Sequence, residues 1–216
     1  MANVVLIGAT GFVGSAILKE LLDRGHQVTA IVRNIKKLPQ NDNLKAVEAD
    51  VADVDAVAKV AEGKDAVISA YNPGWKNPDI TELINTNYPK ILEAVRKSKV
   101  NRFLIVGGAG TLFVKPGLRV VDSGAIPEAI MGGVRPLGNF YLNVLTKVDD
   151  VDWVFFSPAG KFDRDGGRTG KFRLGKDNLV VDAEGNSHIS VQDYAVAMVD
   201  ELEKPQHHKE RFTIGY

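Results

Sequence analysis

The sequence predicts an α/β fold with a doubly wound parallel sheet, helices on both faces and a small C-terminal lid. Three observations support this class. Apolar, β-branched runs alternate with helical periodicity, several runs are apolar throughout their centres, and a glycine-rich turn follows the first run. Buried parallel strands have this continuous apolar character. The 216 residues are predicted to form a single domain, residues 1–216, with residues 159–190 as its lid and substrate segment.

The turn after the first predicted strand carries the strongest functional signal. Residues 4–7 form an apolar run, and the next seven residues place Gly8, Gly11 and Gly14 in a G-x-x-G-x-x-G pattern before an amphipathic helix. Strand, glycine turn and helix in this order are the context of a dinucleotide-binding motif. Gly8 permits a sharp turn, Gly11 lets a pyrophosphate approach the backbone, and Gly14 lets the helix pack on the strand. We therefore predict a Rossmann-like nucleotide site, with a ligand-free glycine turn as the alternative.

The second predicted strand indicates which dinucleotide is preferred. It covers residues 28–32 and is followed by Arg33 and Asn34. An acidic residue in this place would bind the ribose 2′-hydroxyl of NAD, whereas an arginine accommodates the 2′-phosphate of NADP. Arg33 therefore favours NADP(H) over NAD(H), with a solvated arginine at a strand end as the alternative.

The remaining periodicity predicts further strand and helix pairs. Strands are expected at 44–51, 65–70, 102–106 and 153–158, and a long helix at 79–98 that Pro89 kinks or splits. Residues 112–136 are rich in glycine and proline and are predicted to be irregular. A helix is expected at 137–148 and another at 191–202, the latter between short strands near 179–181 and 211–214.

Composition excludes several classes of function. The formal net charge is zero, which argues against nucleic acid or an anionic membrane as a partner. There are no cysteines, so disulfides, thiolate metal sites and a cysteine nucleophile are absent. No metal site is predicted. The apolar runs are too short for a bilayer span or a signal peptide, so we expect a cytoplasmic protein, either a monomer or a homodimer.

Several of these segments resemble a known superfamily. The glycine turn, Arg33 and the Asp50-Val51 pair resemble the short-chain dehydrogenase/reductases, in particular their atypical branch with NmrA-like proteins and biliverdin reductase B-like flavin reductases. Residues 106–110, 157–159, 168–175 and 211–216 are similar to bacterial NADH-flavin reductases and NAD-dependent epimerase/dehydratases. The resemblance covers essentially the whole chain.

The resemblance implies a set of cofactor contacts along one edge of the sheet. It places residues 10–13 on the pyrophosphate, Arg33 on the 2′-phosphate and Asp50 beside the adenine, where a turn-forming role for Asp50 is an equal alternative. Residues 69–70 would line the adenosine ribose, 107–109 the nicotinamide ribose and 157–158 the carboxamide. The predicted cofactor-binding residues are Gly8, Thr10, Gly11, Phe12, Val13, Gly14, Arg33, Asp50, Val51, Ser69, Ala70, Gly107, Gly108, Ala109, Ser157 and Pro158.

The usual catalytic couple of this superfamily, a tyrosine with a lysine four residues later, is missing. Tyr141 is followed at that spacing by Leu145, and no tyrosine of the chain has the required lysine. Ketone reduction and sugar epimerisation need that proton shuttle, whereas hydride transfer to a flavin or quinone needs mainly a stacked acceptor. The candidate catalytic hydroxyl is Thr111. The candidate substrate residues, each with plain packing or a solvated charge as the alternative, are Trp75, Phe113, Phe162 and Arg168.

Three functions follow as hypotheses. The first is an NAD(P)H-dependent oxidoreductase, with NADPH favoured, that reduces a flavin, quinone or similar small acceptor; flavin would then be a substrate. The alternatives are a non-catalytic NAD(P)-binding sensor of the NmrA type and an NAD-dependent epimerase or dehydratase. A preformed acceptor pocket favours the enzyme, and a blocked pocket with an exposed apolar patch favours the sensor. Of the histidines, His188 is predicted to be structural and His26, His207 and His208 to be exposed.

Overall fold

The computed structural model describes residues 1–216. Its strands are β1 (Asn3–Ile7), β2 (Gln27–Val32), β3 (Leu44–Glu48), β4 (Ala66–Ser69), β5 (Arg102–Val106), β6 (Phe113–Lys115), β7 (Leu118–Arg119), β8 (Asp152–Ser157), β9 (Lys161–Asp163), β10 (Arg173–Gly175), β11 (His188–Ser190) and β12 (Glu210–Gly215). The helices are α1 (Phe12–Asp23), α2 (Val54–Ala61), α3 (Ile80–Ser98), α4 (Glu128–Asn143) and α5 (Val191–Glu203). None of the five helices has the length and apolar character needed to cross a membrane.

The central sheet has eight strands in the order β10-β12-β8-β5-β4-β1-β2-β3. All neighbours run parallel except β10, which pairs antiparallel with β12 at one edge. After β1 the chain adds β2 and β3 on one side and then crosses to β4 on the other. A crevice opens outside the carboxyl ends of the strands at such a reversal, and ligands of open α/β sheets bind there. This architecture confirms the predicted Rossmann-like class.

Successive strand residues point to opposite faces of the sheet, and both faces are apolar. Helices therefore cover both faces. In β1, Val5 and Ile7 belong to the apolar core shared with α2, α3 and α4. Val4 and Leu6 belong to a second core, shared with α1 and α5. All four side chains are fully buried, so the first strand is held from both faces just before the glycine turn.

The structure differs most from the sequence prediction around α4. The predicted helix at 137–148 instead spans Glu128–Asn143, so it begins nine residues earlier and contains Pro136. Gly133 is required there by close packing, because a Cβ would lie 2.6 Å from the Trp75 ring. Tertiary packing thus overrides the weak local helix propensity of a segment rich in glycine and proline.

The long helix predicted at 79–98 is confirmed: α3 continues as one helix, Ile80–Ser98, and Pro89 does not split it. The strand predicted near 179–181 is wrong, because the strand in this region is β10, which pairs with β12 through Leu174 and Ile214. The pairing of β10 with the distant β12 determines where this edge strand lies. A strand of three residues is too short to show the alternation of apolar and polar residues that predicts a strand.

His26 is not exposed as predicted but almost completely buried. Its Nδ1 accepts a hydrogen bond from the Ala2 amide at 3.0 Å, so its Nε2 donates to Glu203, 2.9 Å away. His207 is half-buried and stacks on Phe212 with the ring centres 4.1 Å apart. The partners of His26 come from segments far away along the chain, whereas the His207 ring contacts Phe212 and Glu201, which lie within six positions of it.

Candidate cofactor-binding site

The glycine turn joins the carboxyl end of β1 to α1, and its three glycines have different surroundings. Gly8 has φ of +80°, and a Cβ there would lie 2.5 Å from the Ala70 carbonyl oxygen. A Cβ on Gly14 would lie only 2.0 Å from the Gly8 carbonyl oxygen. A Cβ on Gly11 would meet just one atom, the Gly8 oxygen at 3.4 Å. Packing within the protein therefore requires the first and third glycines, whereas Gly11 leaves open space in front of the helix.

The start of α1 presents unpaired amides to that space. Gly11 caps the helix without a side-chain hydrogen bond, and the first intrahelical bond runs from the Ser15 amide to the Gly11 carbonyl at 2.9 Å. The amides of Phe12, Val13 and Gly14 therefore have no acceptor in the protein. Free amides at the positive end of a helix dipole attract anions such as phosphate groups. The turn accordingly has the chemistry and the room that a pyrophosphate requires.

A cavity of about 1480 Å³ follows the carboxyl edge of the sheet from this turn. Pockets for one small ligand typically measure about 300–1,000 Å³, so this space can hold a dinucleotide together with a second molecule. All but three of the predicted cofactor residues line it: Gly8, Thr10, Gly11, Phe12, Val13, Arg33, Asp50, Val51, Ala70, Gly107, Gly108, Ala109 and Pro158.

The three remaining predicted residues lie behind the cavity surface. Gly14 packs on the Gly8 backbone, and Ser69 and Ser157 are completely buried. The Ser69 hydroxyl accepts a long hydrogen bond, 3.4 Å, from the Tyr71 amide, whereas the Ser157 hydroxyl has no partner. Each serine directly precedes a lining residue, so the two side chains support the strand ends and do not face the cavity.

One end of the cavity, here termed the β2 end, is formed by Arg33, Lys37 and Asp50. Arg33 is exposed and has no carboxylate or other hydrogen-bonding partner, so its guanidinium is available to an anion. Asp50 accepts a hydrogen bond from the Ala52 amide at 2.8 Å, which gives it the turn-forming role considered above and leaves its second oxygen free. The two cations make this end electropositive.

Tyr71 is a lining residue that the sequence did not single out. Its hydroxyl accepts a hydrogen bond from the Asn87 amide at 2.6 Å, and its carbonyl accepts one from the Tyr88 hydroxyl at 2.8 Å. Burial raises the pKa of Tyr71, so this phenol is neutral and firmly oriented. Asparagine and tyrosine at positions 87 and 88 of α3 carried no motif, and only the tertiary structure brings them to the cavity.

The opposite end, here termed the β5 end, begins at residues 107–109. Beside these residues stands an apolar wall composed of Val114, Ile126, Ile130, Val134 and Leu137. Three of the five side chains belong to α4, and two of these, Ile130 and Val134, lie in the part of that helix which the sequence predicted to be irregular. The composition of this end could therefore not be inferred before the helix was placed.

The predicted substrate residues divide into two groups. Trp75 and Phe162 line the cavity, whereas Phe113 and Arg168 do not. Phe113 lies in β6 with the Arg119 guanidinium 5.5 Å above its ring. Trp75 is about half exposed and Phe162 packs edge-on against Phe12, with ring centres 5.8 Å apart.

Thr111, the candidate catalytic hydroxyl, also lies outside the main cavity. It is buried, and its hydroxyl accepts a hydrogen bond from Arg211 at 2.8 Å. It lines a smaller cavity of about 180 Å³ that also borders α4 and shares Gly110 and Val134 with the main cavity. Arg211, which holds this hydroxyl, lies 100 positions further along the chain, so residue spacing does not reveal the contact.

His188 lines the main cavity although the sequence indicated only a structural role. Its Nδ1 lies 2.5 Å from an Asp163 carboxylate oxygen, and its Nε2 lies 3.5 Å from Asp182. The parallel pairing of β9 with β11 brings these residues together. The hydrogen bond from His188 lowers the pKa of Asp163, which stays ionised. Asp163 and His188 therefore add a hydrogen-bonded polar pair to the lining of the cavity.

Arg168 holds its segment against α1 and does not face the cavity. Its Nε and Nη2 donate to the two Glu20 oxygens at 2.9 and 2.8 Å, and Arg24 donates to the same carboxylate at 2.8 Å. Next to it, buried Asp193 accepts from the amides of Thr169 and Gly170, both at 2.8 Å. Two carboxylates of the helical layer thus hold residues 168–170 in place.

Replacing Glu20 with glutamine is expected to lower the free energy of unfolding by about 1–2 kcal/mol at neutral pH, the scale of charged hydrogen bonds. The hydrogen bond from Arg168, followed by that from Arg24, lowers the Glu20 pKa. Because the Glu20 pKa is lower in the folded than in the unfolded protein, the ionised carboxylate stabilises the fold above the unfolded-state pKa of about 4.3. This stabilisation is lost as the pH falls through the folded-state pKa. Urea unfolding of both proteins at several pH values tests this.

The difference between the two proteins should shrink below about pH 4, because the wild-type carboxyl then becomes protonated as well. Glu62→Gln is the matched control, since Glu62 is exposed and has no ion-pair partner. A pH-independent difference between wild type and the Glu20 variant would contradict the assigned role of this carboxylate.

The fold and the glycine-turn cavity together define an NAD(P)-binding Rossmann protein of the atypical short-chain dehydrogenase/reductase type. The chain belongs to the NAD(P)H-binding family, which it matches over residues 8–205. Three similar proteins illustrate this family. A Bacteroides thetaiotaomicron protein of known structure, provisionally named an epimerase, is 57% identical, with a TM-score of 0.93 over 100% of this chain and 98% of that one.

A second similar structure is a Streptococcus pneumoniae protein provisionally named an NADH-flavin reductase. It is 33% identical with a TM-score of 0.84, over 100% of this chain and 99% of that chain. The protein YwnB of Bacillus subtilis is 40% identical over 216 residues, which cover 98% of this chain and 97% of YwnB. These similarities extend over the full length, so they include the glycine turn, α4 and the C-terminal segment.

Proposed function

We propose that this protein is an NADPH-dependent oxidoreductase that reduces a flavin, quinone or similar conjugated acceptor without a tyrosine-lysine couple. The observation that carries the proposal is the continuation of the preformed cavity beyond residues 107–109 to the apolar wall. The reduced nicotinamide, when bound, supplies a hydride (two electrons with one hydrogen nucleus), and the acceptor gains one further proton from solvent. The protein has to align the two partners and limit access of water.

The positions of the charged groups and free amides indicate which half of the dinucleotide lies at each end of the cavity. The free amides of Phe12 and Val13 suit the pyrophosphate, and Arg33 with Lys37 suits a 2′-phosphate at the β2 end. The other half of the dinucleotide then extends across the ends of β4, β5 and β8. This orientation puts the nicotinamide beside residues 107–109 and Pro158, next to the apolar wall.

No side-chain pair in the cavity resembles the proton shuttle of ketone reduction. Tyr71 and Tyr88 line it, but burial raises the pKa of both, and no lysine influences either phenol. Tyr141 of α4 stacks on Phe155 at 4.7 Å instead of facing the cavity. Hydride transfer to a conjugated acceptor is therefore favoured over sugar epimerisation, because the former needs no enzymatic shuttle.

The position of exposed apolar side chains favours an enzyme over a sensor of the NmrA type. Three of the eight large apolar residues that are more than a third exposed, Phe12, Trp75 and Val114, line the cavity. An exposed apolar surface inside a concave site suits a small molecule. Residues 159–190, which supply Phe162 and His188 to the cavity, are proposed as the lid over it.

We expect saturable NADPH oxidation with riboflavin or a simple quinone as acceptor. The loss of NADPH absorbance measures the reaction. Tyr141→Phe should turn over at the wild-type rate within about twofold, because removal of a non-catalytic hydroxyl away from the site changes little. Tight NADPH binding measured by calorimetry, with no oxidation by any of these acceptors, would support the sensor and contradict the enzyme.

A further inference from the structure

Building on the proposed function, we infer that the acceptor is an uncharged, phosphate-free conjugated ring system, bound between the apolar wall and Trp75. This assignment separates riboflavin and simple quinones from FMN and from nucleotide sugars. It is drawn from the side chains present at the β5 end and from the charges that this end lacks.

The apolar wall directly contacts the loop that follows β5. The Leu137 Cδ2 atom lies 3.4 Å from the position of a Cβ built on Gly108, and Val134 Cγ1 lies 2.5 Å from one built on Gly110. Trp75 packs against the same helix, since its ring lies 2.6 Å from a Cβ built on Gly133. Wall and indole thus both flank the β5 end, where a ring can be covered by apolar atoms and an aromatic face.

The cavity concentrates its free positive charge far from this wall. Arg33 and Lys37 lie at the β2 end, where they suit the phosphate of the cofactor. The lysine nearest the lid strands, Lys161, is largely exposed, and its ammonium lies 3.3 Å from Asp163. Asp163 in turn contacts His188, so the two cavity-lining charges of β9, Lys161 and Asp163, pair with each other.

None of the neighbouring arginines lines the main cavity. Arg164 lies 4.6 Å above the Phe12 ring and Arg168 is paired with Glu20. Arg119 and Arg135 line the smaller cavity that borders α4. A phosphate on the acceptor would therefore lose water without gaining a cationic donor, and it would approach Asp163. A neutral ring has no charge that must be desolvated when it enters the β5 end.

The test uses NADP⁺-saturated protein titrated with riboflavin or with FMN, which differ by one phosphate group, and follows quenching of flavin fluorescence. We expect riboflavin to bind at least about tenfold more tightly than FMN. Equal affinities, tighter binding of FMN, or no binding of riboflavin would overturn the inference. Because the complexes contain no reductant, this result is independent of turnover: a failure of NADPH oxidation with riboflavin bound would contradict only the proposed reductase.

A variant that adds the missing charge provides an independent measurement. Ile130→Arg places a cation in the apolar wall and should reduce the riboflavin preference about tenfold, while NADP⁺ affinity stays as in the wild type. Val144→Arg is the matched control, since Val144 follows the end of α4, is exposed and does not line the cavity. An unchanged flavin preference in an Ile130→Arg protein that still binds NADP⁺ would place the acceptor elsewhere.

Discussion

Alanine at position 14 is expected to lower the free energy of unfolding by about 3 kcal/mol and to abolish cofactor binding, because the new methyl group meets backbone that cannot move away. Its Cβ would lie 2.0 Å from the Gly8 carbonyl oxygen and 3.3 Å from the Ala70 side chain. Gly8 is itself held by its φ of +80° and by the end of β4. Relief would require α1 to shift away from β1, which separates the amides that face the phosphate. Urea unfolding and calorimetry with NADPH measure the two effects.

Gly11→Ala is the matched control within the same turn. Gly11 has φ of −79°, which alanine adopts without strain, and a Cβ there would meet only the Gly8 oxygen at 3.4 Å. We expect the free energy of unfolding of this variant to lie within about 0.5 kcal/mol of the wild-type value. NADPH affinity should nevertheless fall about tenfold or more, since the methyl group occupies the space proposed for the pyrophosphate. Normal NADPH binding by this variant would show that the pyrophosphate lies elsewhere.

Arg33→Ala is expected to weaken NADPH binding by about 1.5–3 kcal/mol, the scale of a charge-assisted hydrogen bond. NADH binding is expected to stay almost unchanged. The reason is the free guanidinium: Arg33 lines the cavity directly after β2 and is paired with no carboxylate. Lys37 also lines this end and retains part of the attraction for the 2′-phosphate. Calorimetric titration with each dinucleotide measures the two losses separately.

Lys36→Ala controls for the change in net charge. Lys36 is an exposed neighbour in the same short 3₁₀ turn as Lys37, and it does not line the cavity. Its removal should change NADPH affinity by less than about 0.5 kcal/mol, as is usual for surface positions. Equal losses of NADPH and NADH in the Arg33 variant would contradict a 2′-phosphate contact at this residue.

Much of the fold was predictable because its signals are local. The strand-turn-helix segment at the start of the chain has β-branched periodicity, a glycine at positive φ and an amphipathic helix within about twenty residues. Central parallel strands such as Ala66–Ser69 and Arg102–Val106 were equally clear. Their residues are buried on both sides, and burial selects apolar side chains at every position.

The candidate site was less predictable beyond the cofactor turn. Arg168 was expected at the acceptor, but its two hydrogen bonds to Glu20 cross 148 positions of the chain. Thr111 was expected near the nicotinamide, but Arg211 donates a hydrogen bond to its hydroxyl and Thr111 does not line the main cavity. Such pairings depend on where separate elements dock, and no spacing along the sequence encodes them.

The sequence by itself determined the order of the main strands and helices along the chain and the glycine turn, because each depends on residues close together in the chain. Only the tertiary structure decided what faces the cavity. Helix α4 forms despite its glycines and Pro136, since Gly133 allows the close approach of Trp75. Its apolar side chains then form one wall of the β5 end, while Glu20 of the distant α1 pairs with Arg168, which does not line the cavity. Packing between remote segments thus set the chemistry of the acceptor site.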